Sequence, residues 1–173
     1  ESRDLPSGID QRSPARHPDW LGPDDLAVKI EQIREATDGR IPVSVKLGAC
    51  RVTDDVKLAA KAGADIVVVD SMLAGTGASG EALLDHSGIP TVPSIVMARE
   101  ALRDMGLYGT VSLVASGGIR SGADMAKALA LGADACAIGI GALVALNCKR
   151  DIPERAEEHT SEHKVPVNLV CRP

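Results

Sequence analysis

The sequence contains no Phe, one Tyr (Tyr108) and one Trp (Trp20). Single-stranded nucleic acid is held by stacking bases on aromatic platforms, so composition excludes that mode of binding. Positive charge is also scarce: 19 Lys and Arg stand against 24 Asp and Glu, a formal net charge of −5. Neither nucleic acid nor an anionic membrane is therefore an expected partner. No apolar run approaches the roughly 20 residues of a membrane span, and no signal peptide is visible. The four cysteines, Cys50, Cys136, Cys148 and Cys171, lack the tight spacing of a disulfide scaffold. That points to a reducing, cytoplasmic setting. The chain begins at Glu1 rather than Met, so an upstream portion is expected.

What is present is mostly Ala, Val, Leu and Ile. Hydrophobic residues make up 45% and charged residues 25% of 173 positions, the balance of one soluble domain. Small and branched side chains suit helices packed closely on a parallel sheet.

Residues 1–22 are rich in Pro, Gly, Asp and Arg and read as an extended lead-in segment. Pro23, Asp24 and Asp25 open a helix that carries Leu26, Ile30 and Ile33 and ends before Gly39. A strand is predicted over Val43–Leu47, followed by a helix capped by Thr53 that stops at Gly63. Ile66–Val69 is a continuous apolar run, as a strand covered on both faces requires. A long loop fills 70–92, and a helix is predicted from Ser94 to Met105. A strand over Val111–Ala115, a helix capped by Ser121 and a last strand over Ala135–Ile138 complete the pattern. Residues 149–173 form a polar tail.

One plan occurs twice. Ala62-Gly63-Ala64-Asp65-Ile66 and Leu131-Gly132-Ala133-Asp134-Ala135 each run from a helix end through a left-handed Gly into a buried strand. Strands and helices alternating this tightly imply right-handed βαβ units on a parallel sheet. Either an open doubly wound sheet or part of a (β/α)₈ barrel has this pattern. The positions of the glycines favour the barrel. A complete barrel needs roughly 200 residues or more, so residues 23–148 are read as a half barrel.

Ser116-Gly117-Gly118-Ile119-Arg120-Ser121-Gly122 lies directly between a strand and a helix, and Gly139-Ile140-Gly141-Ala142 follows the next strand. Paired glycines let the backbone approach a ligand, and a helix start attracts an anion. Two such loops, one βα unit apart, are what a barrel uses to grip a phosphate at its C-terminal face. The plainer alternative is a pair of tight turns without a ligand. Lys46 is the lone charge in its strand. It either snorkels to water or meets an anion or the electron-rich end of a flavin. Asp70 ends a strand at the catalytic face, or caps the loop's own N–H groups. Arg120 faces phosphate or solvent, and His86 is a loop histidine without a clear task.

The run Ser44-Val45-Lys46-Leu47, the loop Gly75-Thr76-Gly77-Ala78-Ser79, the Gly117-Gly118 turn and Gly139-Ile140-Gly141-Ala142 together resemble the FMN-binding synthase domain of the glutamate synthase family. Ser13-Pro14 with His17 resembles the approach to that family's fifth barrel stage. The likeness spans residues 10–150 and is greatest to archaeal-type and N-methylglutamate synthase-like subunits. It implies the C-terminal half of a TIM barrel, strands 5–8, with FMN as cofactor and an imine of 2-oxoglutarate as substrate. It implies that Lys46 contacts flavin or oxo acid and that Ser116, Gly117, Gly118, Gly139, Gly141 and Ala142 hold the FMN phosphate. Asp70 and the Gly75, Thr76, Gly77, Ala78 and Ser79 loop would shape the substrate pocket. The expected partners are the absent N-terminal half barrel and subunits of amidotransferase type.

Met72, Leu73 and Ala74 stand where the family carries an extra Gly and often an acid. Cys148 matches the first of the family's cluster cysteines, but the next is Cys171, so an iron–sulfur cluster is not expected in this chain. His159 and His163 fit an H-x-x-E-H zinc pattern in a polar tail that supplies no further ligand helix. Two competing functions share the same elements. One is another FMN or phosphate-binding barrel oxidoreductase, although the nucleotide dehydrogenases of that group use a Cys that 70–92 lacks. The other is a non-catalytic half barrel that pairs with a second chain through its open sheet edges.

Overall fold

The computed structural model describes residues 17–74, 82 and 86–145. Helix α1 (Pro23–Ala36) begins with Pro at its first position and acids in its first turn, as the sequence predicts. Strand β1 (Ser44–Gly48), helix α2 (Val52–Lys61) and strand β2 (Ile66–Asp70) form the first βαβ unit. Helix α3 (Thr91–Asp104), strand β3 (Ser112–Ser116), helix α4 (Gly122–Ala130), strand β4 (Ala135–Ala137) and the short helix α5 (Ile140–Ala145) follow.

Two predicted helix starts are corrected. The residue flanking α2 is Arg51, without a side-chain cap, and Thr53 lies inside the helix. Helix α3 starts at Thr91 rather than Ser94, because Pro93 falls in the first turn, where no intrahelical donor is needed. Helix α4 has the full capping box: Ser121 Oγ accepts from Asp124 N–H at 3.2 Å and Asp124 Oδ2 accepts from Ser121 N–H at 3.1 Å.

The four strands are parallel and lie in the order β1-β2-β3-β4. A doubly wound sheet reverses its order at a switch point, and these strands do not. Right-handed crossovers in a sequential sheet keep the connecting helices on one face. Burial agrees. Val45, Val67, Val69, Leu113 and Ala115 alternate along the strands and are buried against Val52, Val56, Ala59, Ile95, Ala98 and Leu102. Each fully buried side chain of Val or Leu size contributes about 1.5–3 kcal/mol. The intervening residues belong to the opposite face, where Ser44, Lys46, Val68, Asp70, Val114 and Ala135 are half-buried or exposed and Ser116 is buried.

The repeated Gly-Ala-Asp plan has a mechanical reason. Gly63 (φ +100°) and Gly132 (φ +113°) turn the chain out of their helices in the left-handed region. The Asp that follows then ties down the start of the preceding strand. Asp65 Oδ2 accepts from Val43 N–H, and Asp134 Oδ2 accepts from Leu113 N–H, both at 2.7 Å. Arg34 adds an ion pair to Asp65 at 2.9 Å. The Val43 N–H bond and the Arg34 guanidinium hold the Asp65 carboxyl below the usual carboxylate range.

Candidate functional site

The C-terminal ends of all four strands reach one rim, because the strands are parallel and in register. Gly48, Asp70, Ser116 and Ala137 stand side by side across it. On the uncovered face Lys46 Nζ lies 3.0 Å from Asp70 Oδ2. The lysine side chain is 59% exposed and the aspartate 16%, so a fixed carboxylate anchors a reachable ammonium. Asp70 Oδ1 is buried and meets no hydrogen-bond donor among the described residues. Lys46 therefore faces away from the helix-packed core, and it has a partner that the sequence did not reveal.

The two glycine turns are neighbours on this rim. A Cβ built on Gly141 would sit 3.2 Å from the Ile119 carbonyl and 3.5 Å from Arg120 Cα, so the turn after β4 abuts the turn after β3. Gly139 has nothing within 4 Å of its Cβ position, and Gly139 and Ala142 are exposed.

Gly117 (φ +91°) and Gly118 (φ +71°) serve a second purpose beyond any approach to a ligand. Cβ atoms there would strike the loop after β2, at Ala74 Cβ (2.8 Å) and Leu73 Cδ1 (2.7 Å) respectively. Their bareness lets Ser71–Ala74 pack directly on the turn. Leu73 and Ala74 are thus accommodated by contact with the paired glycines, while Met72 lies against Gly88, where a Cβ would come within 3.3 Å of its backbone.

The helix start of α4 is not an open anion site. Asp124 Oδ2 already accepts from Arg120 N–H at 3.2 Å and from Ser121 N–H and Oγ. The Ser121 hydroxyl and these amides hold its carboxyl below the usual range. The Arg120 side chain and His86 are exposed. The Gly75, Thr76, Gly77, Ala78 and Ser79 loop lies outside the described residues, as do Ser13-Pro14, Cys148, His159, His163 and Cys171. No group of His, Cys, Asp and Glu suited to a metal occurs among the described residues.

Sequence reasoning missed Ser71 and Thr91. Ser71 is 4% exposed, and Thr91 Oγ1 lies 2.8 Å from Ser71 Oγ and 2.7 Å from the Gly117 carbonyl. The available signal was Pro93, which marks a helix first turn and so brings Thr91 out of the loop.

The fold is a parallel α/β sheet with polar residues and glycine turns gathered at the strand C-termini, the edge at which α/β proteins generally bind ligands. The family model described as the conserved region in glutamate synthase matches residues 1–152, and the chain belongs to that family. It is 58% identical over 144 residues to a glutamate synthase large subunit-like protein of Rhizobium meliloti (strain 1021), covering 83% of this chain and 33% of that protein. To an archaeal glutamate synthase (NADPH) of Methanocaldococcus jannaschii it is 43% identical over 149 residues, covering 86% of this chain and 29% of that protein. The chain thus spans about a third of the length of these relatives. Among solved structures, nitroalkane oxidase from Streptomyces ansochromogenes matches with a TM-score of 0.52 and 26% identity. That match covers 68% of this chain and 31% of the oxidase.

Proposed function

We propose that the chain is the phosphate-gripping C-terminal half, strands 5–8, of a (β/α)₈ barrel in an FMN-dependent oxidoreductase of glutamate synthase type. Its reaction would be reduction of an imine of 2-oxoglutarate to glutamate or an N-substituted glutamate. The observation that carries this reading is the adjacency of the Gly117-Gly118 and Gly139–Gly141 turns on the rim where β2 ends at Asp70, the partner of Lys46 on the uncovered face. Among the described residues β1 and β4 each pair on one side only, which leaves both edges for the rest of a barrel.

The residues suit the group. Gly117, Gly118 and Gly139 would offer backbone amides to the phosphate, and the space beside Gly139 is open. Lys46, reachable on the uncovered face, would place an ammonium beside the ring and favour negative charge there. Asp70 holds that ammonium in place. Bound FMN would supply the hydride for the imine carbon. Partner subunits would supply amine and electrons, and the free Cys50 and Cys136 suit a reducing cytoplasm.

The test is to express the full-length polypeptide and add FMN. A flavin absorption spectrum retained through gel filtration, with 2-oxoglutarate and ammonia oxidising the reduced protein, is the expected result. Retention of no flavin would refute the proposal.

A further inference from the structure

The Gly117-Gly118 turn is gripped through its carbonyls. Ser71 N–H donates to the Ser116 carbonyl at 3.0 Å, and the Thr91 hydroxyl donates to the Gly117 carbonyl at 2.7 Å. A hydroxyl has one proton, so with that proton on Gly117 the 2.8 Å contact between Thr91 Oγ1 and Ser71 Oγ is completed by the Ser71 proton. Thr91 is itself steadied by Ser94, whose hydroxyl donates to its carbonyl at 2.8 Å. Ser71 and Ser94 are both more than nine-tenths buried.

These bonds fix two amides as well. In a trans, planar peptide the N–H points opposite to the C=O. No peptide bond among the described residues is cis. The Gly117 N–H is therefore turned away from Ser71 and the Gly118 N–H away from Thr91. Among the described residues neither amide has an acceptor. Two successive amides held this way in a left-handed turn make a concavity for an anion.

We propose that Thr91, together with Ser71, is a positioning residue that presents the Gly117 and Gly118 amides to the terminal phosphate of a flavin nucleotide. The inference rests on the flavin reading above and names the device that orients its phosphate grip. It also joins the loop after β2 to the phosphate turn, so the two move as one body.

The experiment compares FMN with riboflavin, which lacks the phosphate, by fluorescence titration of the full-length polypeptide. Thr91→Val keeps the side-chain volume and removes the donor, and it should weaken FMN about tenfold, the loss of one hydrogen-bonded constraint. Riboflavin affinity should stay unchanged, and Thr91→Ser should restore FMN binding. Should Thr91→Val fail to fold, Ser71→Ala interrupts the same relay and should show the same selective loss. Equal losses for both ligands, or none, would overturn the inference while leaving the flavin reading intact. A wild-type protein that binds FMN no better than riboflavin would overturn both.

Discussion

Lys46 Nζ and Asp70 Oδ2 stand 3.0 Å apart on neighbouring strands, on the face opposite buried Val45 and Val67. The pair is lopsided, since Asp70 is largely enclosed and its other oxygen has no donor among the described residues. Removing the lysine leaves an enclosed carboxylate without an ion-pair partner among the described residues. Lys46→Met should thus destabilise the fold by about 1–3 kcal/mol. Lys46→Met combined with Asp70→Asn should recover much of that loss in urea titrations. Strict additivity would show that the two side chains do not support each other.

The same pair should tune a bound flavin with opposite signs. Losing the Lys46 cation disfavours negative charge on the ring and lowers its midpoint potential, whereas Asp70→Asn removes an anion and raises it. Spectroelectrochemical titration of the two variants reads the signs directly. Shifts in the same direction would remove the pair from the flavin site.

The glycines separate packing from binding. Gly117→Ala must fit a Cβ against Ala74 with φ at +91°, so it should cost about 2 kcal/mol or more in unfolding free energy. At Gly139 a Cβ meets nothing within 4 Å and φ is not in the left-handed region, so Gly139→Ala should change stability by less than about 0.5 kcal/mol. If Gly139→Ala nevertheless weakens FMN, the space beside it belongs to the ligand. Unchanged FMN affinity would leave that space without a role.

Acid should loosen both ends of the sheet. Asp65 and Asp124 have folded values below the ordinary 3.8, so each favours the folded state most when ionised. Their contribution is fully present above about pH 4 and disappears as the pH falls through the lowered folded values. Denaturant midpoints taken from pH 7 down to pH 2 should drop across that window. In Asp65→Asn the drop should be shallower, and an unchanged slope would contradict the assignment.

Much of this arrangement was legible before the structure. The strands fell within one or two residues of their predicted places because apolar runs flanked by Gly and Asp admit few other readings. Ser121 and its helix were read correctly from the cap. The start of α3 was misread because the loop was extended to residue 92, and Thr91 and its bond to Gly117 were lost with it. Lys46 was visible as an isolated charge, but its pairing with Asp70 depends on strand register, which no local pattern encodes. The paired glycines announced a close approach without saying that Leu73 and Ala74 make it.

The clamps formed by Asp65 and Asp134 sit where the chain enters its strands, whereas Lys46, Ser71, Thr91 and the glycine turns lie toward the exits. Anchorage and the proposed binding residues are thus segregated between the two ends of the sheet. Descendants of such a chain can rebuild the exit loops, altering what is bound, without disturbing the joints that set the scaffold. Swapping exit segments between relatives should therefore yield folded chimaeras far more often than swapping the entrances.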